Sequence, residues 1–499
     1  MARVALIGLI SFLIAAVAVA AERPERRLEP VPFTAVKLTD GFWAPRIETN
    51  RTVTVPHDFK KCEETGRLSN FTKAAGKMEG GFEGIYFNDS DVYKVVEGAS
   101  YSLAAHPDPE LERYLDRLIA DFAGAQQGNG YLNTYYILKE PDKKWSNLAK
   151  MHELYCAGHM FEAAVAHWRA TGKKTFLNVA TRFADRIDEL FGPGGKHGVP
   201  GHEEIELALV RLYDATGERR YLDLATFFLD MRGNEDERER LFGPYSQDHR
   251  PVREQATPVG HAVRAMYLYC GMADVAAYTR DQAMIDALDR LWTSTVTRKM
   301  HVTGGVGARR GGEAFGDDYE LPNASAYCET CAACGLIFWN RRMNLLHGHA
   351  RYADVLERAL YNGFLSGVSL DGRKFFYVNP LASSGNHHRS EWFGCSCCPT
   401  NVVRVVPSVP GYVYATDADA IYVNLYAAGT AEIAHPKGKV TLVQETRYPW
   451  DGTVTIRAEA EKPTALTLAL RIPAWARGET RTEGLYRLTP AAGPPTVGV

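Results

Sequence analysis

The sequence predicts a mostly helical chain, a closed toroid of helical hairpins, followed by an antiparallel β domain that reads as a sandwich. Three observations carry this. From about Asp91 to Tyr361, apolar residues recur at three- and four-residue spacing. A helix–turn–helix phrase repeats along that stretch. Past Pro407 the period switches to two and β-formers take over.

The elements follow in chain order. Arg3 precedes an almost unbroken apolar run from Val4 to Val19, and Ala18-Val19-Ala20 is a small-x-small cleavage site. Residues 1–20 therefore read as a secretory signal peptide, since the run is short for an uncleaved membrane anchor. The chain is expected to be exported, periplasmic or extracellular, with no stable membrane insertion after cleavage. Residues 21–45 form an N-terminal segment expected to add a strand to the β domain. Residues 46–410 form the helical domain. Within it, 152–170 carries Leu154, Ala157, Phe161, Ala164, Val165 and Trp168 on one face, and Gly172 is placed for a left-handed C-cap. The phrase returns at Ala215-Thr216-Gly217 before Tyr221-Leu222, at Gly348-His349-Ala350, and at Ala105-His106-Pro107-Asp108. The loops between hairpins are long and aromatic, such as Gly128-Asn129-Gly130-Tyr131, which suits the walls of a cup better than an open solenoid. Residues 411–499 form the β domain. Ala420–Tyr426, Val440–Val443, Thr453–Arg457 and Leu466–Ile472 alternate, and Pro449-Trp450-Asp451-Gly452 makes a hairpin turn.

Composition narrows the function. The chain has 499 residues, 45% hydrophobic and 23% charged, as in an ordinary globular protein. A net charge of -3 argues against nucleic acid as a partner, because phosphate binding needs a basic surface. The 25 tyrosines and eight tryptophans suit sugar stacking, though most such rings serve the core.

Six of nine cysteines fall between Cys328 and Cys398, in two knots. Glu329 and Cys331 lie two apart at a helix start, and Cys397-Cys398 lie in a Gly/Pro-flanked turn. Three sulfurs and one carboxylate complete a tetrahedral zinc set. Cys328, Cys331 and Cys334, or Cys395 and Cys397, are other ligand options. Disulfides or buried free thiols are the alternatives in an exported protein. Just upstream, Glu313 sits between glycines and an aromatic. Partial desolvation there is expected to raise its pKa and fit it as a general acid, against the plainer reading of a solvated acidic loop. His152, His202 and His261 each lie near a helix start, able to face the cup or simply to cap a helix.

These segments are recognisable together. Gly312-Glu313-Ala314-Phe315, Tyr327-Cys328-Glu329-Thr330-Cys331-Ala332 and Cys397-Cys398-Pro399-Thr400-Asn401 resemble glycoside hydrolase family 127, the β-L-arabinofuranosidase family. Asp40-Gly41-Phe42-Trp43, Gly260-His261-Ala262-Val263-Arg264 and Phe376-Tyr377-Val378-Asn379 support the match, which runs over about 31–476. The resemblance implies an (α/α)6 barrel followed by β-sandwich domains. It implies a retaining exo-glycosidase that releases L-arabinofuranose-type sugars from oligosaccharides or plant-type glycans. By matching motif, Cys397 is the nucleophile and Glu313 the acid/base. Glu329, Cys331, Cys397 and Cys398 are the zinc ligands. His261, His202, His152 and Tyr377 bind the sugar.

Past Ile472-Pro473-Ala474-Trp475-Ala476 the resemblance stops, so the β domain is expected to be incomplete, with an irregular tail after 476 and an unpaired edge. The residues themselves also admit a non-catalytic carbohydrate-binding protein with a structural zinc. A hydrolase using metal-bound water fits less well, because four protein ligands close the coordination sphere. The oligomeric state is left open, a homodimer included.

Overall fold

The computed structural model describes residues 24–462 and 465–476, with the backbone of Leu485–Leu488 and Thr496–Gly498. The signal peptide expected over 1–20 lies outside the described residues.

Six helices form an inner ring: α1 (Asp89–Ala105), α2 (Glu153–Thr171), α3 (Ile205–Thr216), α4 (Ala262–Thr279), α5 (Thr330–His347) and α6 (Cys397–Val405). Neighbours in sequence pack side by side, and α6 packs against α1, which closes the ring. Most of their residues are buried, the expected state of a helix covered on every side. The helices that follow them, such as Thr175–Leu190 and Gln282–Ser294, bury one stripe and expose the other. They are the outer layer.

Sequence chemistry sets both the turns and the spacing. Gly172 and Gly217 end α2 and α3 at φ 72° and 77°, where a side chain is strained. Asp108 caps the helix after α1 by accepting from the Glu110 and Leu111 amides. Gly98 lies where α1 meets α6, and a Cβ there would stand 2.4 Å from the Val403 carbonyl oxygen. Only glycine allows that approach.

Two five-stranded sheets follow. The first runs β1 (Glu29–Pro30), β3 (Tyr414–Thr416), β4 (Ala420–Val423), β8 (Thr467–Arg471), β9 (Leu485–Leu488). The second runs β10 (Thr496–Gly498), β7 (Val454–Ala460), β6 (Gly438–Thr446), β5 (Gly429–His435), β2 (Val36–Leu38). Their apolar faces share one core, and Gln444 of β6 donates to the Tyr414 hydroxyl of β3 at 2.7 Å. The pairing is antiparallel with one exception. β4 and β8 run parallel, because the chain leaves the first sheet for the β5–β7 meander and returns in the same direction. Past 476, two described strands take sheet edges, β9 beside β8 and β10 beside β7.

Candidate active site

The residues singled out from the sequence lie where inner helices begin. His152 precedes α2, His261 caps α4, Glu329 caps α5, and Cys397 and Cys398 open α6. His202 comes three residues before α3. Converging helix N-termini bring partial positive charge to one spot, which favours thiolates and carboxylates there.

Glu329, Cys331, Cys397 and Cys398 are buried, with one ligand atom from each lying within 4.8 Å of the others. Cys331 Sγ and Cys398 Sγ are 3.2 Å apart, and Cys397 Sγ and Cys398 Sγ 3.9 Å. Glu329 Oε1 lies 3.3 Å from Cys397 Sγ and 3.6 Å from Cys398 Sγ. All three thiols are free. The set fits a metal ion. A tetrahedron with metal–sulfur bonds of ~2.3 Å has sulfur–sulfur edges of ~3.8 Å. Glu329 Oε2 is buried with no hydrogen-bond partner among the described residues. Burial pushes the Glu329 carboxyl well up, and Cys397 and Glu313 add to it. Burial, with Cys331 and Cys397 beside it, does the same to the Cys398 thiol. A cation at their centre would reverse both shifts.

Glu313 stands on the next segment. Its loop is pinned to the start of α4 by the Phe315 amide, which donates to the Gly260 carbonyl at 2.9 Å. His261 Nδ1 accepts from the Val263 amide at 3.1 Å, so the proton sits on Nε2, which faces Glu313 Oε2 at 2.8 Å. The Tyr327 hydroxyl donates to Oε1 at 2.8 Å. The raised pKa expected for Glu313 is thereby corrected. Burial does push it up, but the His261 and Tyr327 hydrogen bonds prevail and hold the carboxyl below its ordinary value. Both donors favour the ionised form.

The three histidines lie in a row, with 5.5 Å between the rings of His152 and His202 and again between His202 and His261. His152 Nδ1 lies 2.8 Å from the Lys150 carbonyl and His202 Nδ1 2.9 Å from that of Glu203. Nδ1–H donation to those carbonyls leaves each Nε2 as an acceptor. Burial, then the Arg264 guanidinium, holds both rings neutral, with His152 pushed down to about 3. Tyr377 closes the other side. Its hydroxyl is 3.7 Å from Cys395 Sγ and its carbonyl accepts from the Thr330 amide at 3.1 Å. His152 and Glu313 have φ of 58° and 51°, and Cys328, beside Glu329, has 42°. Side chains rarely tolerate such backbone, and it clusters here at the site.

Sequence reasoning missed three supporting residues. Tyr327 was visible only as the neighbour of the first cysteine knot. Arg264 lies under Tyr245, its guanidinium 4.4 Å from the ring centre, and adds its charge to the burial that keeps His152 and His202 neutral. Arg67 pairs with Asp91 at 2.9 Å and donates to the Gly394 carbonyl at 2.9 Å, holding the loop that delivers Cys397. No local pattern marks a lone arginine so far away in sequence.

Comparison with known proteins identifies the chain as a glycoside hydrolase. The model of the β-L-arabinofuranosidase GH127 catalytic domain matches residues 35–411, and that of the GH127 middle domain matches 420–485. The chain belongs to the GH127 β-L-arabinofuranosidase family. It is 41% identical to a non-reducing end β-L-arabinofuranosidase of Bifidobacterium longum, over 95% of this chain and 76% of that protein. A solved GH127 β-arabinofuranosidase is 52% identical with TM-score 0.87, covering 91% of this chain and 73% of that one. A solved GH127 β-L-arabinofuranosidase from Geobacillus stearothermophilus is 42% identical with TM-score 0.88, covering 92% and 80%.

Proposed function

We propose that this protein is an exported, retaining exo-glycosidase that removes β-L-arabinofuranose from glycans, with Cys397 as nucleophile and Glu313 as acid/base. The inner ring with its outer layer is then an (α/α)6 barrel. The reading is carried by one observation: Glu329, Cys331, Cys397 and Cys398 converge beside Glu313. Zinc fits this sulfur-rich donor set, held by those four residues, and when bound it would stabilise thiolate sulfur at neutral pH.

The residues supply the rest. The Nε2 atoms of His152 and His202 would accept hydrogen bonds from sugar hydroxyls and orient the ring. Cys397 Sγ attacks the anomeric carbon and Glu313 protonates the departing oxygen, giving a thioglycosyl enzyme. Glu313 is ionised in the sugar-free site, so its acid role requires the bound sugar to exclude water and bring its pKa back up. In the second step the ionised Glu313 takes a proton from water. That water attacks the same anomeric carbon, and the Cys397 sulfur departs as thiolate.

Cys397→Ala is expected to abolish turnover of an aryl β-L-arabinofuranoside, while intact mass of the unsubstituted protein quenched during turnover gains one pentosyl unit on Cys397. Full activity in the variant would remove Cys397 from the reaction.

A further inference from the structure

A cavity of about 560 Å³ lies inside the inner ring, toward the ends of its helices opposite the thiol cluster. The N-terminal segment around Pro30–Thr34 and the turn at Gly411 and Tyr412 form part of its wall. Six arginines line it: Arg26, Arg169, Arg211, Arg341, Arg342 and Arg404. Five acidic residues face them, but these are unevenly matched. Arg342 and Arg26 share Asp274, at 2.7 and 3.7 Å. Arg404 takes Glu97 and Glu162, at 2.9 and 2.7 Å. Asp214 accepts from the Tyr278 hydroxyl.

Two arginines are left over, while Arg211 shares Glu162 with Arg404, at 3.4 Å. Arg169 makes no hydrogen bond or ion pair among the described residues. Arg341 Nη1 is buried without a hydrogen-bond partner, and its guanidinium rests only against the Tyr412 ring, 5.8 Å from its centre. Burial, with Arg26 and Arg342 nearby, holds Arg341 down to about 10. The remaining carboxyl, Glu204, is 1% exposed, and burial and Glu162 push its pKa well up, so it adds little negative charge. A buried guanidinium N–H without an acceptor, as on Arg341, is costly unless an anion joins it, and the planar donors of the group match oxyanions.

We propose that this cavity binds a small oxyanion, bearing phosphate or carboxylate groups, between Arg169, Arg211 and Arg341. The site is separate from the thiol cluster and does not depend on the proposed reaction. A volume of this size holds a small organic anion.

The test is thermal unfolding of the purified full chain in rising inorganic phosphate or, in a second arm, citrate, with sodium chloride at matched ionic strength as reference. A saturable rise in Tm is expected in at least one arm, about 3 °C at one hundred times the half-saturating concentration. The arm that saturates assigns the ligand chemistry. Arg341→Gln is expected to raise the half-saturating concentration about tenfold or more. Arg169→Gln, at an exposed position, is expected to do the same and guards against a folding defect in the first variant. The proposal is overturned if neither anion gives a saturable rise, if chloride gives the same rise, or if both variants respond as the unsubstituted protein does.

Discussion

Glu313 receives two donors on one carboxylate, and this decides what its substitution costs. Glu313→Gln keeps the shape but can neither give nor take a proton. Turnover of a sugar-linked substrate is expected to fall ~10²–10⁴-fold. A nitrophenyl glycoside leaves without protonation, so its first step is expected to suffer far less; comparing kcat/KM on the two substrates checks this. His152 yields a stability prediction. Its folded pKa, about 3, lies below the ordinary value of 6.5, because burial and Arg264 disfavour the charged ring. The folded state binds fewer protons than the unfolded one between those values. This contribution is complete above pH 6.5 and is lost as pH falls toward 3, by at most about 1.4 kcal/mol per pH unit. Melting temperature is expected to fall more steeply with acid in the unsubstituted protein than in His152→Gln; parallel curves would refute it.

At the scale of elements, the contact between α1 and α6 carries the thiols. Gly98 lets α1 approach within reach of the Val403 carbonyl, so Gly98→Ala forces the helices apart. A loss of about 1–3 kcal/mol is expected, read as a lower denaturant midpoint. Gly128→Ala is the control, since a Cβ there meets nothing within 4 Å. Much at this scale was legible in sequence. The 3.6-residue period and the Thr-Gly turns marked α2 and α3, and the switch to alternation marked β4, β6, β7 and β8 but not β5. The parallel pairing of β4 with β8 was not legible, because both strands read alike and only the path of the chain between them fixes direction.

For the molecule as a whole, the ring joins segments far apart in the chain. Arg404 of α6 is buried between Glu97 of α1 and Glu162 of α2, so the helix that carries the thiols is tied across the ring. A metal held by α5 and α6 would add a second tie. Chelation is therefore expected to lower Tm and end turnover together, both restored by zinc. A purified protein that holds no metal by elemental analysis before chelation, and whose Tm chelation leaves unchanged, would show that the four donors hold none.

Local chemistry by itself determined that this chain is helical and then β, because period and turn residues act within a few positions. It also marked two cysteine knots and an acidic loop as reactive, since those residue types are rare side by side. Only the tertiary structure decided that Cys331 meets Cys398 and that His261 and Tyr327 hold Glu313 ionised. Those are contacts through space, set by helix packing and by backbone at positive φ, and neither leaves a trace in the spacing of residues along the chain.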